Sequence, residues 1–115
     1  MRFGRKDGMP KISKKEQRIV NVFDGITRFT LGCGKDVLLA KFEYKESSRV
    51  PPHRHAYEQV TTIIKGKQKI LIRSKDIEEE FVVETGDTYI VPATFEHEQV
   101  SLEDTVTLDA WSIAP

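Results

Sequence analysis

The chain reads as a single all-β domain that folds over on itself as a jelly roll or closed barrel. From Ile19 onward, apolar residues alternate with polar ones or run in short bursts. No stretch repeats them at the three-to-four spacing of a long amphipathic helix. Val, Ile, Thr, Phe and Tyr dominate the bursts, and their branched or flat side chains fit a pleated, half-buried surface.

The bursts predict about nine strands: Ile19–Phe23, Ile26–Leu31, Val37–Tyr44, Gln59–Ile64, Gln68–Arg73, Glu80–Val83, Thr88–Val91, Glu98–Leu102 and Thr105–Ile113. Asp24-Gly25, Gly32-Cys33-Gly34, Pro51-Pro52, Lys65-Gly66-Lys67, Ser74-Lys75-Asp76 and Gly86-Asp87 break the chain between them. Pro51, Pro52 and Pro92 fall at strand edges, where a missing N–H costs no ladder bond. Only the segment before Ile19 has room for a helix. A small sheet without helices to cover it must close on itself.

At 115 residues the chain suits one domain, and its 38% hydrophobic content and zero net charge are those of an ordinary globular protein. The charge is uneven. Residues 1–18 form a basic arm of net +5, expected to be solvated and partly disordered, while residues 19–115, the barrel, carry net −5. An acidic body argues against a nucleic-acid footprint. Cys33 is the sole cysteine, so no internal disulfide forms, and its place in a glycine turn marks it as structural. Apolar runs of only a few residues exclude a transmembrane helix and a signal-peptide core, leaving the cytoplasm as the default location.

The chemistry concentrates in two segments. His53 and His55 are two apart, which on an extended strand puts both imidazoles on one face, a ready pair of metal ligands. Gln59 shares that parity on a regular strand, so its amide oxygen can join them, whereas Glu58 should point outward. The third and last histidine, His97, follows the turn marked by Pro92 at the head of another strand. All the histidines of the chain therefore fall in the two segments.

These segments resemble the two motifs of the cupin superfamily. His53-x-His55-x-x-x-Gln59 followed by Gly66 is similar to the first, and Gly86, Pro92 and His97 to the second. The resemblance spans roughly Val37 to Ser112. It implies a single-domain double-stranded β-helix, usually a homodimer, with His53, His55, Gln59 and His97 holding one divalent metal ion in the barrel mouth. Gln59 stands where Glu is commoner, Thr94 where Gly is usual, and Ser101 where Asn is frequent. Three neutral imidazoles and a neutral amide leave the ion's charge uncompensated, which favours anionic ligands over tight metal retention. Zn, Ni, Mn and Fe all suit such a donor set.

Within the superfamily, Pro52–Gln59 and Ser101–Ser112 resemble the KdgF-like cupins of pectin degradation, which isomerise unsaturated uronates. That likeness implies a small, anionic sugar-acid substrate, with Asp109 as catalytic acid or base and Trp111 as a flat substrate wall. The group usually has Phe at that second position. Thr105, Thr107, Asp109 and Trp111 share one strand face. Lys41, on the strand before the ligand loop, is a candidate partner for the substrate carboxylate. Two other readings fit a metal-binding cupin: an iron- or manganese-dependent dioxygenase of a small molecule, and a non-enzymatic ligand-binding or sensory protein.

Overall fold

The computed structural model describes residues 10–112 of the chain. Ten strands follow a single 3-10 turn at Lys14–Glu16: β1 (Arg18–Phe23), β2 (Ile26–Cys33), β3 (Val37–Tyr44), β4 (Arg49–His53), β5 (Gln59–Lys65), β6 (Lys67–Arg73), β7 (Glu78–Glu84), β8 (Thr88–Val91), β9 (Glu96–Ser101) and β10 (Thr105–Ser112). They form two antiparallel sheets, one of six strands in the order β1-β2-β3-β10-β5-β8 and one of four in the order β4-β9-β6-β7. Packed face to face, the sheets make a jelly roll.

The nine expected strands are present, and β4 is the one that was not foreseen. It contains Pro51 and Pro52, which the sequence reads as a break. β4 tolerates them because it is an edge strand. Its register jumps from Val50↔Gln99 to His53↔His97, so Pro51 and Pro52 together face one residue of β9. This is a β-bulge, and it turns His53 to the side that strict alternation from Val50 would deny it.

A second difference is at Cys33. It ends β2, paired with Leu38, rather than lying in the turn. Of the basic arm, residues 1–9 lie outside the described residues, as does Ile113, the expected end of β10. The described part of the arm is anchored. Ser13 N–H donates to Glu16 Oε1 (3.0 Å) at the 3-10 turn, and the Ile12 side chain lies over Gly32.

The interior between the sheets is divided. One half is apolar: Ile63, Ile70, Ile72, Val83, Tyr89 and Val91 pack together, with Phe81 and Phe95 against them. The other half is lined by buried polar residues, among them Gln59, Thr61, His97, Gln99, Thr107 and Asp109. Burying that many polar groups is tolerable only when each finds a partner. Here Gln59, Thr61, Thr107 and Asp109 partner one another, Gln99 bonds with Tyr44 and Tyr89, and His97 with the Phe95 carbonyl, while the apolar half supplies the hydrophobic stabilisation. Gly66 closes the β5–β6 hairpin at φ 113, where a Cβ would come within 2.5 Å of Asp104 O, so only glycine fits. No helix among the described residues is long and apolar enough to cross a membrane.

Candidate metal centre

Three elements deliver the three histidines. The β4 bulge turns His53 inward, opposite His97 on β9. His55 lies two residues past the end of β4, in the loop leading to β5. That loop is tied to the turn before β9, because Thr94 N–H donates to the His55 carbonyl (2.9 Å) and Arg54 reaches Glu96 (3.8 Å). The rings of His53 and His97 lie 4.0 Å apart and those of His55 and His97 5.0 Å apart. One nitrogen of each ring lies within 4.8 Å of one nitrogen of each of the others.

The backbone selects which nitrogens these are. Nδ1 of His53 faces the Pro51 carbonyl at 3.1 Å, that of His55 the Tyr57 carbonyl at 3.0 Å, and that of His97 the Phe95 carbonyl at 3.4 Å. A carbonyl oxygen can only accept, so each Nδ1 carries the proton and each Nε2 presents a lone pair. This is how metal-binding histidines are usually oriented. Burial, reinforced by the neighbouring His53 and His55, lowers the pKa of His97 to about 4, so this ring stays neutral and able to donate its lone pair.

Gln59 reaches the cluster by another route than strand parity. The chain leaves the four-stranded sheet after His53, and Gln59 opens β5 in the other sheet, opposite Trp111. The two motifs therefore meet across the space between sheets, not along one strand. Glu58 is exposed, as its parity predicts.

The Gln59 amide is held at both ends. Its Nε2 donates to Thr61 Oγ1 (2.9 Å) and Asp109 Oδ2 (3.2 Å), and its Oε1 accepts from Trp111 Nε1 (2.9 Å). Oε1 then lies 3.2 Å from His55 Nε2. Two acceptors so placed repel unless a cation lies between them. Nitrogen and oxygen ligands of one ion, each about 2.1 Å from it and separated by 90 to 109°, stand roughly 3.0–3.4 Å apart. The donor set thus fits a divalent ion, with His53, His55 and His97 as its imidazole ligands and Gln59 Oε1 beside them.

Asp109 lies behind Gln59. Besides the amide, it accepts from Thr61 Oγ1 (2.8 Å) on Oδ2 and Thr107 Oγ1 (2.6 Å) on Oδ1. It is 2% exposed, and desolvation raises its pKa to about 6 although the Thr107 and Thr61 hydroxyls work the other way. The Trp111 ring meets Phe42 edge-on at 5.8 Å. The three histidines, Gln59, Asp109 and Trp111 all line one cavity of about 350 Å³, a size suited to a small molecule.

Lys41 is the residue that the structure does not bring to this cavity. On β3, Leu38, Phe42 and Tyr44 line the cavity, while Lys41 has the opposite parity. Its ammonium sits over the Phe29 ring at 4.2 Å and pairs with Glu43 at 3.6 Å. A positive group does line the cavity, however, on the neighbouring strand: Arg28 of β2. The sequence carried a signal for it, since Arg28 shares parity with the buried Ile26, which makes it a charge at a core-facing position.

The sequence pattern of the cupin domain matches residues 40–111, which is most of the chain. The chain belongs to the cupin family. No curated protein matches it. Among solved structures, it is similar to KdgF from Halomonas sp., with 21% identity and a TM-score of 0.77 over 90% of this chain and 92% of that one. An RmlC-like cupin from Shewanella frigidimarina matches at 19% identity and a TM-score of 0.77, over 99% and 96% of the two chains. An oxalate oxidase matches at 19% identity and a TM-score of 0.63, over 67% of this cupin and 42% of its own chain. At these identities the likeness is one of fold.

Proposed function

We propose that this cupin is a metal-dependent isomerase of a small sugar acid of the unsaturated-uronate type. The observation that carries the reading is the sharing of one cavity by the histidine cluster and Asp109, the only carboxyl among the described residues that line it. A divalent ion held by His53, His55, His97 and Gln59 would supply Lewis acidity toward the oxygens of the bound ligand.

The remaining steps fall to side chains. Converting the unsaturated acid to its keto isomer adds one proton at carbon and removes one from a hydroxyl, with no net change in composition. One carboxyl that alternates between its two states serves both transfers. Asp109 suits this role because its pKa, raised to about 6, lets it hold or release a proton near neutrality. Oδ1 accepts only the Thr107 hydroxyl and so keeps a lone pair free, which makes it the proton site. Trp111 and Phe42 present an apolar wall to the sugar ring. The similarity to the Halomonas KdgF fold supports the same reading.

The test is to mix metal-loaded protein with a 4,5-unsaturated uronate and follow the enol-ether absorbance. A metal-dependent loss that Asp109→Asn slows at least a hundredfold is expected. An unchanged absorbance with metal-loaded wild type overturns the proposal, and oxygen uptake in its place would point to a dioxygenase.

A further inference from the structure

Arg28 sits in the cavity without a counter-charge. It lies on β2 between Val20 of β1 and Phe42 of β3 in the cross-strand register, and both neighbours are apolar. Its Nε is buried and has no hydrogen-bond partner. Among the described residues it makes no ion pair, although Arg73 and Arg54 elsewhere in the chain both do. An arginine kept in a cavity with no ion pair is costly, and proteins retain one chiefly where something else completes it.

Position narrows what completes it. Two strand spacings, about 10 Å, separate Arg28 from Thr107, which shares its row across β3 and β10. Asp109 is the next inward residue along β10, and its three hydrogen-bond donors are Gln59, Thr61 and Thr107, so it is engaged elsewhere. The Nε side is closed off by the protein, so it is the terminal amino groups that Arg28 offers to the cavity, and together they can give two parallel hydrogen bonds to a carboxylate.

We propose that Arg28 is the anchor for the carboxylate of a sugar-acid-sized ligand whose opposite end faces the histidine cluster. The anchoring charge thus comes from β2 rather than from Lys41. The assignment deepens the isomerase reading in naming where the acid group sits, yet it concerns binding alone and can hold if the reaction differs.

The test titrates zinc-loaded protein with D-glucuronate and, separately, with D-glucose, which has an alcohol in place of the carboxylate. NMR of the Arg28 Nε–H signal reports occupancy. Glucuronate should shift that signal saturably and glucose should not. Arg28→Lys keeps the charge but lacks the two-bond edge, and Arg28→Met lacks both, so each should weaken glucuronate binding about tenfold or more. Arg28→Met should also melt at or above the wild-type temperature, because it removes an unsatisfied buried donor; a lower melting temperature would reveal a structural role and overturn the assignment. So would equal binding of the two sugars, absence of glucuronate binding, or undiminished binding in Arg28→Met. If glucuronate binds through Arg28 but the unsaturated uronate is not consumed, the isomerase reading fails and the anchor stands.

Discussion

His55 Nε2 and Gln59 Oε1 face each other at 3.2 Å, each presenting a lone pair to the other. The His55 tautomer is set by the Tyr57 carbonyl, and the amide is oriented by Trp111 on one side and Asp109 and Thr61 on the other. These partners thereby account for the glutamine. Its amide nitrogen must donate to Asp109 Oδ2, which a glutamate could not do while ionised.

Gln59→Glu should therefore have opposite effects on metal and fold. The new carboxylate adds charge to the ligand set and should tighten zinc about tenfold, read by competition with a chelator. In metal-free protein it stands against Asp109 with the bridging N–H gone. That loss of a buried hydrogen bond should cost roughly 1–3 kcal/mol, and more as pH rises and both groups ionise. Denaturant unfolding of the metal-free variant at pH 5 and pH 8 measures it. Equal stability at the two values would contradict the account.

Trp111→Phe keeps the ring wall and removes the N–H that steadies Gln59 Oε1. Loss of such an outer partner typically costs 10- to 100-fold in metal affinity. We expect about a tenfold fall in zinc affinity with little change in melting temperature of the metal-free protein. An unchanged affinity would mean that the oxygen is oriented well enough by the amide nitrogen alone.

Asp109 and His97 should oppose each other in the pH dependence of the metal-free fold. The pKa of Asp109 rises on folding to about 6, so its neutral form is favoured in the fold. Its contribution is intact below about pH 4 and is lost as pH rises through 6, a change on the order of 3 kcal/mol. The pKa of His97 falls to about 4, so its contribution is present above pH 6.5 and is lost as pH drops toward 4. Over pH 4–6 the two slopes offset each other. Asp109→Asn removes one of them, and its stability should climb with pH more steeply than that of wild type. Urea melts of both proteins across this range test the difference; parallel curves would count against a raised Asp109 pKa.

How much of this was legible in the sequence depends on how local the cause is. Strand parity on β10 correctly put Thr105, Thr107 and Asp109 on one buried face, because that strand runs without a break in its pairing to β3. The histidine cluster was legible from motif spacing, although not for the reason that parity suggests. His53 is turned inward by a bulge at Pro51-Pro52, and His55 is in a loop, neither of which alternation can describe. Lys41 was misplaced because position before the ligand loop says nothing of which face a side chain takes, whereas the parity of β3 does. The contact between Gln59 and Asp109 spans 50 residues of chain and two strands of one sheet, and only the order of those strands brings them together.

Thr94 offers a test of the turn that joins the two motifs. Its φ of 72° is in the left-handed region, which penalises a β-branched side chain. Its N–H holds the His55 carbonyl at 2.9 Å, so the strained conformation also positions a histidine of the cluster. Glycine adopts this conformation freely and keeps the N–H. Relief of about 1–2 kcal/mol of strain is partly offset by the greater freedom of glycine in the unfolded chain, about 0.5–1 kcal/mol. Thr94→Gly should thus stabilise the protein by up to about 1 kcal/mol in denaturant unfolding, with zinc affinity unchanged. Thr94→Pro, which cannot reach positive φ and has no N–H to offer His55, should lower both stability and zinc affinity. If Thr94→Gly instead weakened zinc binding, the threonine side chain itself would be steadying the His55 loop.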